Sequence, residues 1–192
     1  MNHPNYPITK LNDPITRSDY PITKSNYPIT KLPDYPIRVA VSLGSNVGDR
    51  RAHLDFAMAR LAGFLDDLRI STYLETAPVE VSGEQPDFLN AAATGTTTLP
   101  PGELLAALLA VEGERGRDRP FRHAPRTLDL DLVLFGDRII DEPGLIVPHP
   151  RFRERVFVLQ PLAEIAPDFV DPITGRTVGD LLRLLLEGRT GG

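Results

Sequence analysis

The sequence predicts an α+β sandwich, a mostly antiparallel sheet with two helices on one face. Two patterns predict it. Short stretches with the period-two alternation or the unbroken apolar run of strands are interleaved with two longer stretches whose apolar residues recur at helical spacing. The composition agrees, since 41% of the 192 residues are hydrophobic and 24% are charged, as in an ordinary globular domain.

The first half of this domain is predicted as strand, helix and strand. Residues 37–43 read IRVAVSL, an apolar run typical of a buried strand. Residues 50–61 form an amphipathic helix, and residues 68–75 alternate as a second strand. The GSNVGD turn at 44–49 is either a phosphate-binding loop without its lysine or a turn in which Asp49 caps the helix.

The second half repeats the pattern in the order strand, helix, strand. A loop at 77–87 precedes an Ala- and Thr-rich strand at 88–99 and a helix at 103–112. An arginine-rich loop at 113–125 then leads to a strand at 127–135.

Residues 138–140 are predicted as the hairpin partner of that last strand. A short helical stretch ending at 163 and a terminal helix at 178–186 complete the chain. The order β-α-β-β-α-β is that of the ferredoxin-like fold.

The first 36 residues form a separate region. Pro-Ile-Thr recurs at positions 7, 14, 21 and 28, a strict period of seven, and a proline in every unit excludes a helical coiled coil. We interpret 1–36 as a disordered extension of YPITK-type heptapeptide repeats and 37–192 as the single folded domain. A gene duplication or a start codon placed too early is favoured over a functional tail.

The bulk composition excludes several classes of protein. Without cysteine, the chain has neither disulfides nor thiolate metal sites. No apolar run is long enough to cross a membrane and no signal peptide is visible, so we expect a cytoplasmic protein without a membrane partner. The net charge of −5 argues against general nucleic-acid binding. We expect a monomer.

RTLDLDLVLF, residues 126–135, carries two charges on a strand. Alternation puts Leu128, Leu130, Leu132 and Leu134 on one face, and on the other face Asp129, Asp131, Val133 and Phe135. Carboxylates at i and i+2 can converge on a cation, and oxygen-only ligands favour Mg²⁺ or Mn²⁺ over zinc. The alternative is a solvated strand face.

Arginines surround this strand. Five of them lie within twelve residues of the preceding loop, namely Arg115, Arg117, Arg119, Arg122 and Arg126. His149 follows the strand on a stiff Pro-His-Pro turn beside three more arginines. Arginine clamps phosphate, so the combination indicates phosphoryl transfer, for which positioning and charge neutralisation matter most. The alternatives are a solvated basic loop, on RNA for instance, and a structural histidine.

With these motifs the body of the chain, about 38–186, resembles the 6-hydroxymethyl-7,8-dihydropterin pyrophosphokinase family. The resemblance rests on LGSNVGD (43–49), QPDFLNAA (85–92), PRTLDLDLVLFG (125–136), VPHPRFRERVFVLQPLAEIAP (147–167) and TVGDLL near the end. It implies the α+β sandwich. It also implies transfer of the β,γ-pyrophosphoryl group of ATP to the hydroxymethyl oxygen of a reduced pterin in folate biosynthesis, which leaves AMP.

The resemblance also implies roles for individual residues. Asp129 and Asp131 would hold two Mg²⁺ ions, and Arg117 and Arg126 would stabilise the transferring group. The implied ATP-binding residues are Glu112, Arg119, Arg122, His149 and Arg155. The implied pterin-binding residues are Thr76, Val79, Phe88, Asn90 and Phe157, with the two phenylalanines sandwiching the ring.

The sequence departs from the family pattern at His123-Ala124, where an aromatic residue followed by Gly is usual, and in a shorter arginine loop. Two rival classes of function remain. A regulatory module that binds a small ligand would not need the arginines together with the paired aspartates. An RNA-binding sandwich would fit the arginine loop, but the acidic net charge and the lack of an RNP-like aromatic pattern disfavour it.

Overall fold

The computed structural model describes residues 36–78, 85–116 and 126–190, which contain seven strands and four α-helices. Strands β1 to β7 span Ile37–Ser45, Asp66–Ile70, Leu74–Thr76, Phe88–Thr97, Asp129–Phe135, Ile140–Glu142 and Leu145–Val147. Helices α1 to α4 span Arg50–Leu61, Pro101–Glu114, Val156–Ile165 and Val178–Thr190, and a 3-10 turn at Phe152–Glu154 precedes α3. The predicted repeat extension falls almost wholly outside the described residues.

The main sheet is antiparallel throughout, in the order β2-β4-β1-β5, with β3 paired to the same side of β4 as β2. When β2 and β3 are counted as one interrupted edge strand, the order of elements and strands is ferredoxin-like. The predicted fold class is therefore confirmed.

The main sheet has an apolar layer on each face, and each layer packs against a pair of helices. On one face, the β1 residues Val39, Val41 and Leu43 pack with buried residues of α1 and α2, as the sequence predicts. On the other face, Ala40 and Ala92 pack with α3 and α4. These two helices cover only part of that face, and the uncovered end lies where β1, β4 and β5 carry polar side chains.

A bulge in β5 corrects the predicted alternation. The register with β1 shifts near the end of the strand, which makes Val133 an extra residue there. Phe135 therefore joins the leucine layer against α1 and α2, while Leu134 packs against α3 and α4, the reverse of the prediction. Asp129 and Asp131 precede the bulge and keep their common face.

The predicted strand at 68–75 is interrupted. β2 ends at Ile70. At the next residue the Ser71 Oγ accepts the N–H of Ala92 at 2.9 Å, in place of a backbone carbonyl. The Ser71 N–H still donates to the Ala92 carbonyl at 3.0 Å. A side-chain hydroxyl that competes with the backbone in this way ends a strand locally. The edge resumes at β3.

The hairpin predicted for residues 138–140 is also wrong. β6 pairs with β7, and not with β5, in a separate two-stranded sheet. Gly144 lies in the turn between them with φ of 84°, a conformation that favours glycine. The two residues between β6 and β7 close a tight turn, which brings β7 alongside β6.

The predicted helices are present, with extended ends. α1 has the predicted bounds, α2 is longer by two residues at each end, and α3 begins only after the 3-10 turn. Within the described ranges, none of the helices combines the length and apolar character required to cross a membrane.

Candidate active site

A cavity of about 640 Å³ opens at the uncovered end of the sheet, between the strand face and the start of α3. Eight residues predicted for the site line it: Thr76, Phe88, Asn90, Arg126, Asp129, Asp131, Arg155 and Phe157. They come from β3, β4, the start of β5 and the first residues of α3, so tertiary packing brings together segments that are up to 81 positions apart, from Thr76 to Phe157.

The remaining predicted residues are placed otherwise. Glu112 and His149 do not line the cavity. Val79, Arg117, Arg119 and Arg122 lie outside the described residues, as do His123 and Ala124.

Asp129 and Asp131 reach the cavity because their neighbours on β1 are small. Asp129 is paired across the strands with Gly44, and Asp131 with Ser42. Neither partner has a side chain long enough to fill the space in front of the carboxylates. Arg126 donates from Nη1 to Asp129, so a positive charge lies directly beside the pair.

The donor chemistry of this pair suits a hard cation. Mg²⁺ is commonly held by one or two carboxylates and completes its shell with waters and substrate phosphates. In the part of the chain that the structure describes, no group of three or more His, Asp or Glu side chains is arranged to hold a metal ion. The two aspartates thus fit a metal that shares its coordination with a phosphate-bearing substrate, and do not resemble an all-protein cage.

The other end of the cavity combines aromatic and amide groups. Phe88 from β4 and Phe157 from α3 both line it. Asn90, which is buried, donates from Nδ2 to the Thr76 Oγ1 at 2.8 Å, and the Leu74 carbonyl lies 3.4 Å away. These bonds hold the Asn90 amide at a set orientation, with its Oδ1 near Gly44.

His149 is bonded through its backbone N–H to the Val133 carbonyl of β5 at 2.9 Å and is held as a neutral ring. Burial and the neighbouring charge of Arg155 lower the pKa of His149 to about 4, although Asp129 acts in the opposite direction. Its Nδ1 accepts the N–H of Arg151 at 3.2 Å. The proton of the neutral ring is therefore on Nε2, which makes that atom a donor.

Glu112 is buried beside the strand that carries the two aspartates. It is 1% exposed, and its Oε1 accepts the N–H of Leu130 at 2.7 Å. Leu130 stands between the two aspartates, so this bond fixes the strand backbone on which both carboxylates are mounted.

The GSNVGD turn is a capping turn. Asp49 accepts the N–H of Ala52 at 3.0 Å and so caps α1, which is the second of the two predicted alternatives. Sequence reasoning missed Asn46 in this turn, which is buried and bonds to Gln85 before β4 and to Arg126 before β5. An asparagine that directly follows a buried strand was the only signal for it.

Six further polar residues of the lining were not predicted as site residues: Ser42, Glu75, Arg151, Glu154, Gln160 and Arg189. Arg151 and Glu154 stand close to His149 in the sequence and could have been inferred from it. Arg189 lies at the end of α4 and reaches the cavity only because α4 packs on α3, a contact for which the sequence offers no local signal.

The fold and the cavity together define a class of protein: an α+β domain whose cavity combines paired carboxylates, arginines and aromatic side chains, a lining that suits a charged small molecule with an aromatic part. Residues 40–167 match the sequence model of the family described as 7,8-dihydro-6-hydroxymethylpterin-pyrophosphokinase (HPPK). The chain belongs to this family.

Curated relatives agree with the family model. The chain is 43% identical over 144 residues to the 2-amino-4-hydroxy-6-hydroxymethyldihydropteridine pyrophosphokinase of Synechocystis sp., covering 74% of this chain and 73% of the relative. It is 41% identical over 150 residues to the protein of the same name in Pseudomonas aeruginosa, covering 76% and 90%. The Bacillus subtilis protein of that name is 46% identical over 127 residues, covering 65% and 75%.

Among solved structures, a Plasmodium falciparum HPPK-DHPS triple mutant superposes with a TM-score of 0.65 at 13% identity. The match covers 82% of this chain and 46% of that longer one. At this identity the likeness bears on the fold alone, and it supports the ferredoxin-like architecture of the sheet.

Proposed function

We propose that the chain transfers the β,γ-pyrophosphoryl group of ATP to 6-hydroxymethyl-7,8-dihydropterin, as a 2-amino-4-hydroxy-6-hydroxymethyldihydropteridine diphosphokinase of folate biosynthesis. The observation that carries the proposal is one cavity that is lined by two kinds of group. Asp129, Asp131 and Arg126 suit a polyphosphate, and Phe88 and Asn90 suit a flat polar ring. A pyrophosphoryl transfer between a nucleotide and a flat heterocycle needs both kinds of group.

The proposed reaction takes place between ATP and the pterin, bound side by side in this cavity. The hydroxymethyl oxygen of the pterin forms a bond to the β-phosphorus of ATP, and the bond from that phosphorus to the oxygen of the α-phosphate breaks. AMP leaves with the electron pair, and the hydroxyl proton is released. No described residue is assigned as the general base, because catalysis of this type depends mainly on positioning and on charge neutralisation.

Each predicted residue has a part in this proposal. Arg126 and Arg117 stabilise the negative charge of the group in transfer, and a guanidinium suits phosphate oxygens because it donates in a fixed fork. Arg155, Arg119 and Arg122 bind the triphosphate.

Two residues act from behind the cavity. Neutral His149 donates to the triphosphate from Nε2, since burial keeps its pKa at about 4. Glu112 supports the nucleotide end by holding the Leu130 N–H.

At the pterin end, Phe88 and Phe157 sandwich the ring, because a planar bicycle is best held between two aromatic faces. Asn90 contacts its polar edge, and the backbone of Thr76 and Val79 completes this end. The Thr76 hydroxyl already orients the Asn90 amide at 2.8 Å.

Asp129 and Asp131 are proposed to hold two Mg²⁺ ions. When bound, the ions neutralise the phosphate charge and orient the pyrophosphoryl group for an in-line displacement. The protein holds the carboxylates for this purpose on the rigid strand β5, whose backbone Glu112 fixes from behind.

The organisation of the chain is part of the proposal. We propose residues 1–36 as a disordered extension and 37–192 as the catalytic domain of a cytoplasmic monomer, with ATP and the pterin as small-molecule partners and with neither nucleic acid nor membrane as a partner. The boundary between the extension and the domain is tested by comparing AMP release by the full chain and by the 37–192 fragment. Equal AMP release per mole of protein shows that the extension is dispensable.

The decisive experiment is AMP release by the full chain with hydroxymethyl-dihydropterin and MgATP. We expect AMP only when pterin, ATP and Mg²⁺ are all present. Binding of a non-hydrolysable ATP analogue, measured with Mg²⁺ and with EDTA, should require the metal. Metal-independent binding, or binding of both ligands without AMP release, would contradict the proposal. The second outcome would favour the ligand-binding module, and RNA binding that depends on salt alone would favour the RNA-binding alternative.

A further inference from the structure

Arg115 and Arg126 are the two members of the predicted arginine group that lie within the described residues, and they face different surroundings. Arg126 lines the cavity, whereas Arg115 does not. Arg115 follows α2 directly and stacks on α1, where its guanidinium carbon lies 4.0 Å from the centre of the Phe56 ring. Its Nη2 also lies 3.4 Å from the Ala52 carbonyl. Arg115 therefore has a role other than direct phosphate binding.

The guanidinium of Arg115 is held chiefly by the Phe56 ring. Its Nε is buried, and within the part of the chain that the structure describes no acceptor bonds to it. A buried donor without a partner costs free energy, which the attraction between the cation and the face of the ring offsets. The Arg115 N–H donates to the Glu112 carbonyl at 3.1 Å, and Gly116 then ends the helix with φ of 70°. These contacts fix the backbone carbonyl of Arg115.

That carbonyl is bonded to the residue after Arg126. The Thr127 Oγ1 donates to the Arg115 carbonyl at 3.0 Å. On the other side of the Arg126 Cα, the Arg126 N–H donates to the Asn46 Oδ1 at 2.7 Å. The Arg126 side chain then pairs with Asp129. A long side chain reaches one point reproducibly only when the backbone that carries it is fixed, because its own rotamers are numerous.

We infer that Arg115 is a positioning residue for Arg126. Stacked on Phe56, it presents the carbonyl that receives the Thr127 hydroxyl, and this bond fixes the backbone from which the Arg126 guanidinium enters the cavity. A guanidinium binds phosphate oxygens well only in a defined orientation, since it donates in a rigid fork. The identity of the phosphate ligand rests on the proposed function, whereas the contacts between Arg115 and Arg126 do not.

The test measures binding of a non-hydrolysable ATP analogue with Mg²⁺ to the full chain by calorimetry. Thr127→Val removes the hydroxyl but keeps the branched shape of the side chain, and it should weaken binding about fivefold, the effect of one hydrogen bond. Thr127→Ser retains the hydroxyl and should restore the wild-type affinity. Phe56→Leu removes the ring beneath Arg115 without changing any charge, and it should weaken binding in the same direction as Thr127→Val.

A double-mutant cycle with Arg126→Gln distinguishes positioning from a general loss of stability. If Thr127 and Phe56 act through Arg126, Thr127→Val and Phe56→Leu should have no further effect on analogue affinity in the Arg126→Gln chain. A purely structural role would reduce the affinity by the same factor whether or not Arg126 is present. Urea unfolding of each variant records its stability separately.

Arg60→Met is the matched control, because Arg60 also joins α1 to the end of α2. Its Nη2 bonds the Glu114 Oε1 at 2.7 Å, one residue before Arg115, and it does not line the cavity. Arg60→Met should leave analogue affinity unchanged. Should Phe56→Leu fail to fold, the comparison of Thr127→Val with Thr127→Ser decides the inference.

The outcomes separate this inference from the proposed function. Wild-type affinity in Thr127→Val, or the same loss with and without Arg126, overturns the positioning role of Arg115. A wild type that binds the analogue but releases no AMP contradicts the proposed function, while the cycle, which is measured without turnover, still decides the role of Arg115. A wild type that does not bind the analogue overturns both.

Discussion

Asp129 and Asp131 owe their common direction to strand geometry and their access to the cavity to Gly44 and Ser42 on the neighbouring strand. The pairing of Asp129 with Arg126 keeps its charge compensated in the absence of a ligand. At this scale, the proposed function depends on the negative charge of the pair, whereas the fold depends on the leucines that alternate with the aspartates and are buried on the other face.

Asp129→Asn and Asp131→Asn should therefore each lower the rate of AMP release by about 100-fold or more, because each removes a charge that we propose to bind metal but keeps the shape of the side chain. Thermal unfolding should change little. Asp137→Asn is the matched control, since its side chain is 96% exposed in the turn after β5, and it should keep full activity. Wild-type activity in either site variant would rule out its role as a ligand.

His149 should make stability depend on pH. Its pKa is lowered to about 4 in the folded state from an ordinary value of 6.5, mainly by burial. The unfolded chain therefore binds a proton between pH 6.5 and 4 that the folded chain does not, and stability falls as the pH falls through this window. Above pH 6.5 this contribution is complete and constant.

We expect the free energy of unfolding of the wild type to fall by about 1–3 kcal/mol more than that of His149→Gln between pH 7 and pH 4. The lower part of this range applies because the ring is partly exposed to solvent, which weakens the effect of burial. Urea unfolding at several pH values measures it. A wild-type-to-variant difference that does not change with pH would show that the ring is not held neutral by the fold.

At the scale of elements, β4 is the central organiser, since β1, β2 and β3 all pair with it. Its outer neighbours approach closely at Gly95, where a Cβ would stand 2.7 Å from the Asp66 carbonyl oxygen. Backbone cannot move aside as a flexible side chain can, so only glycine lets β2 run past β4 at this position.

Gly95→Ala should accordingly destabilise the protein by about 1–3 kcal/mol, the usual cost of overpacking. Gly113→Ala is the control: a Cβ there meets nothing within 4 Å in the last turn of α2. It should be neutral or stabilising by up to about 0.5 kcal/mol, because alanine loses less backbone entropy than glycine. Denaturant midpoints of both variants test the pair, and equal shifts would contradict the close approach.

For the molecule as a whole, a buried ion pair ties the turn before α4 to the turn before α3. Arg153 donates to both carboxylate oxygens of Asp171, at 2.7 and 2.6 Å, and Asp171 is fully buried. Thr174 bonds the same carboxylate at 2.6 Å. This cluster holds α4 against α3, and with it the face on which Arg155 and Phe157 enter the cavity.

Asp171→Ala should cost about 3–5 kcal/mol of unfolding free energy, because it leaves the guanidinium of Arg153 largely buried and without its carboxylate. The bidentate pair of Arg38 with Asp168 is a surface equivalent, whose Asp side chain is 71% exposed. Asp168→Ala should cost at most about 1 kcal/mol. Similar losses in the two variants, measured by urea unfolding, would refute the structural role of the buried pair.

Much of the fold could be predicted because its signals are local. Helix α1 has its predicted bounds, since amphipathic spacing and the Asp49 cap are both contained within the segment. The bulge at Val133 and the interruption at Ser71 could not be predicted, because each depends on the strand alongside. Whether a residue joins the hydrogen-bond ladder depends on the residue opposite it on the adjacent strand. The alternation of apolar and polar residues along one strand does not show which residue that is.

The residues of the site likewise fall into those that the sequence predicts and those that it does not. The chemistry of Asp129, Asp131 and Arg126 follows from residue type and spacing, and the structure places all three in one cavity with Phe88 and Phe157. Arg189 and Asn46 escaped prediction because their relation to the site is made by packing, of α4 on α3 and of a turn between two segments.

The sequence by itself determined the fold class, the family and the identity of the charged and aromatic groups, because hydrophobic period and motif spacing are properties of the chain. Only the tertiary structure decided which layer Phe135 joins, that Glu112 bonds the backbone of β5, and that Asn46 bonds the segments before β4 and β5. The physical reason is that hydrogen-bond partners far apart in the chain are chosen by geometry after packing, when each buried polar group must find the donor or acceptor that the fold brings within reach.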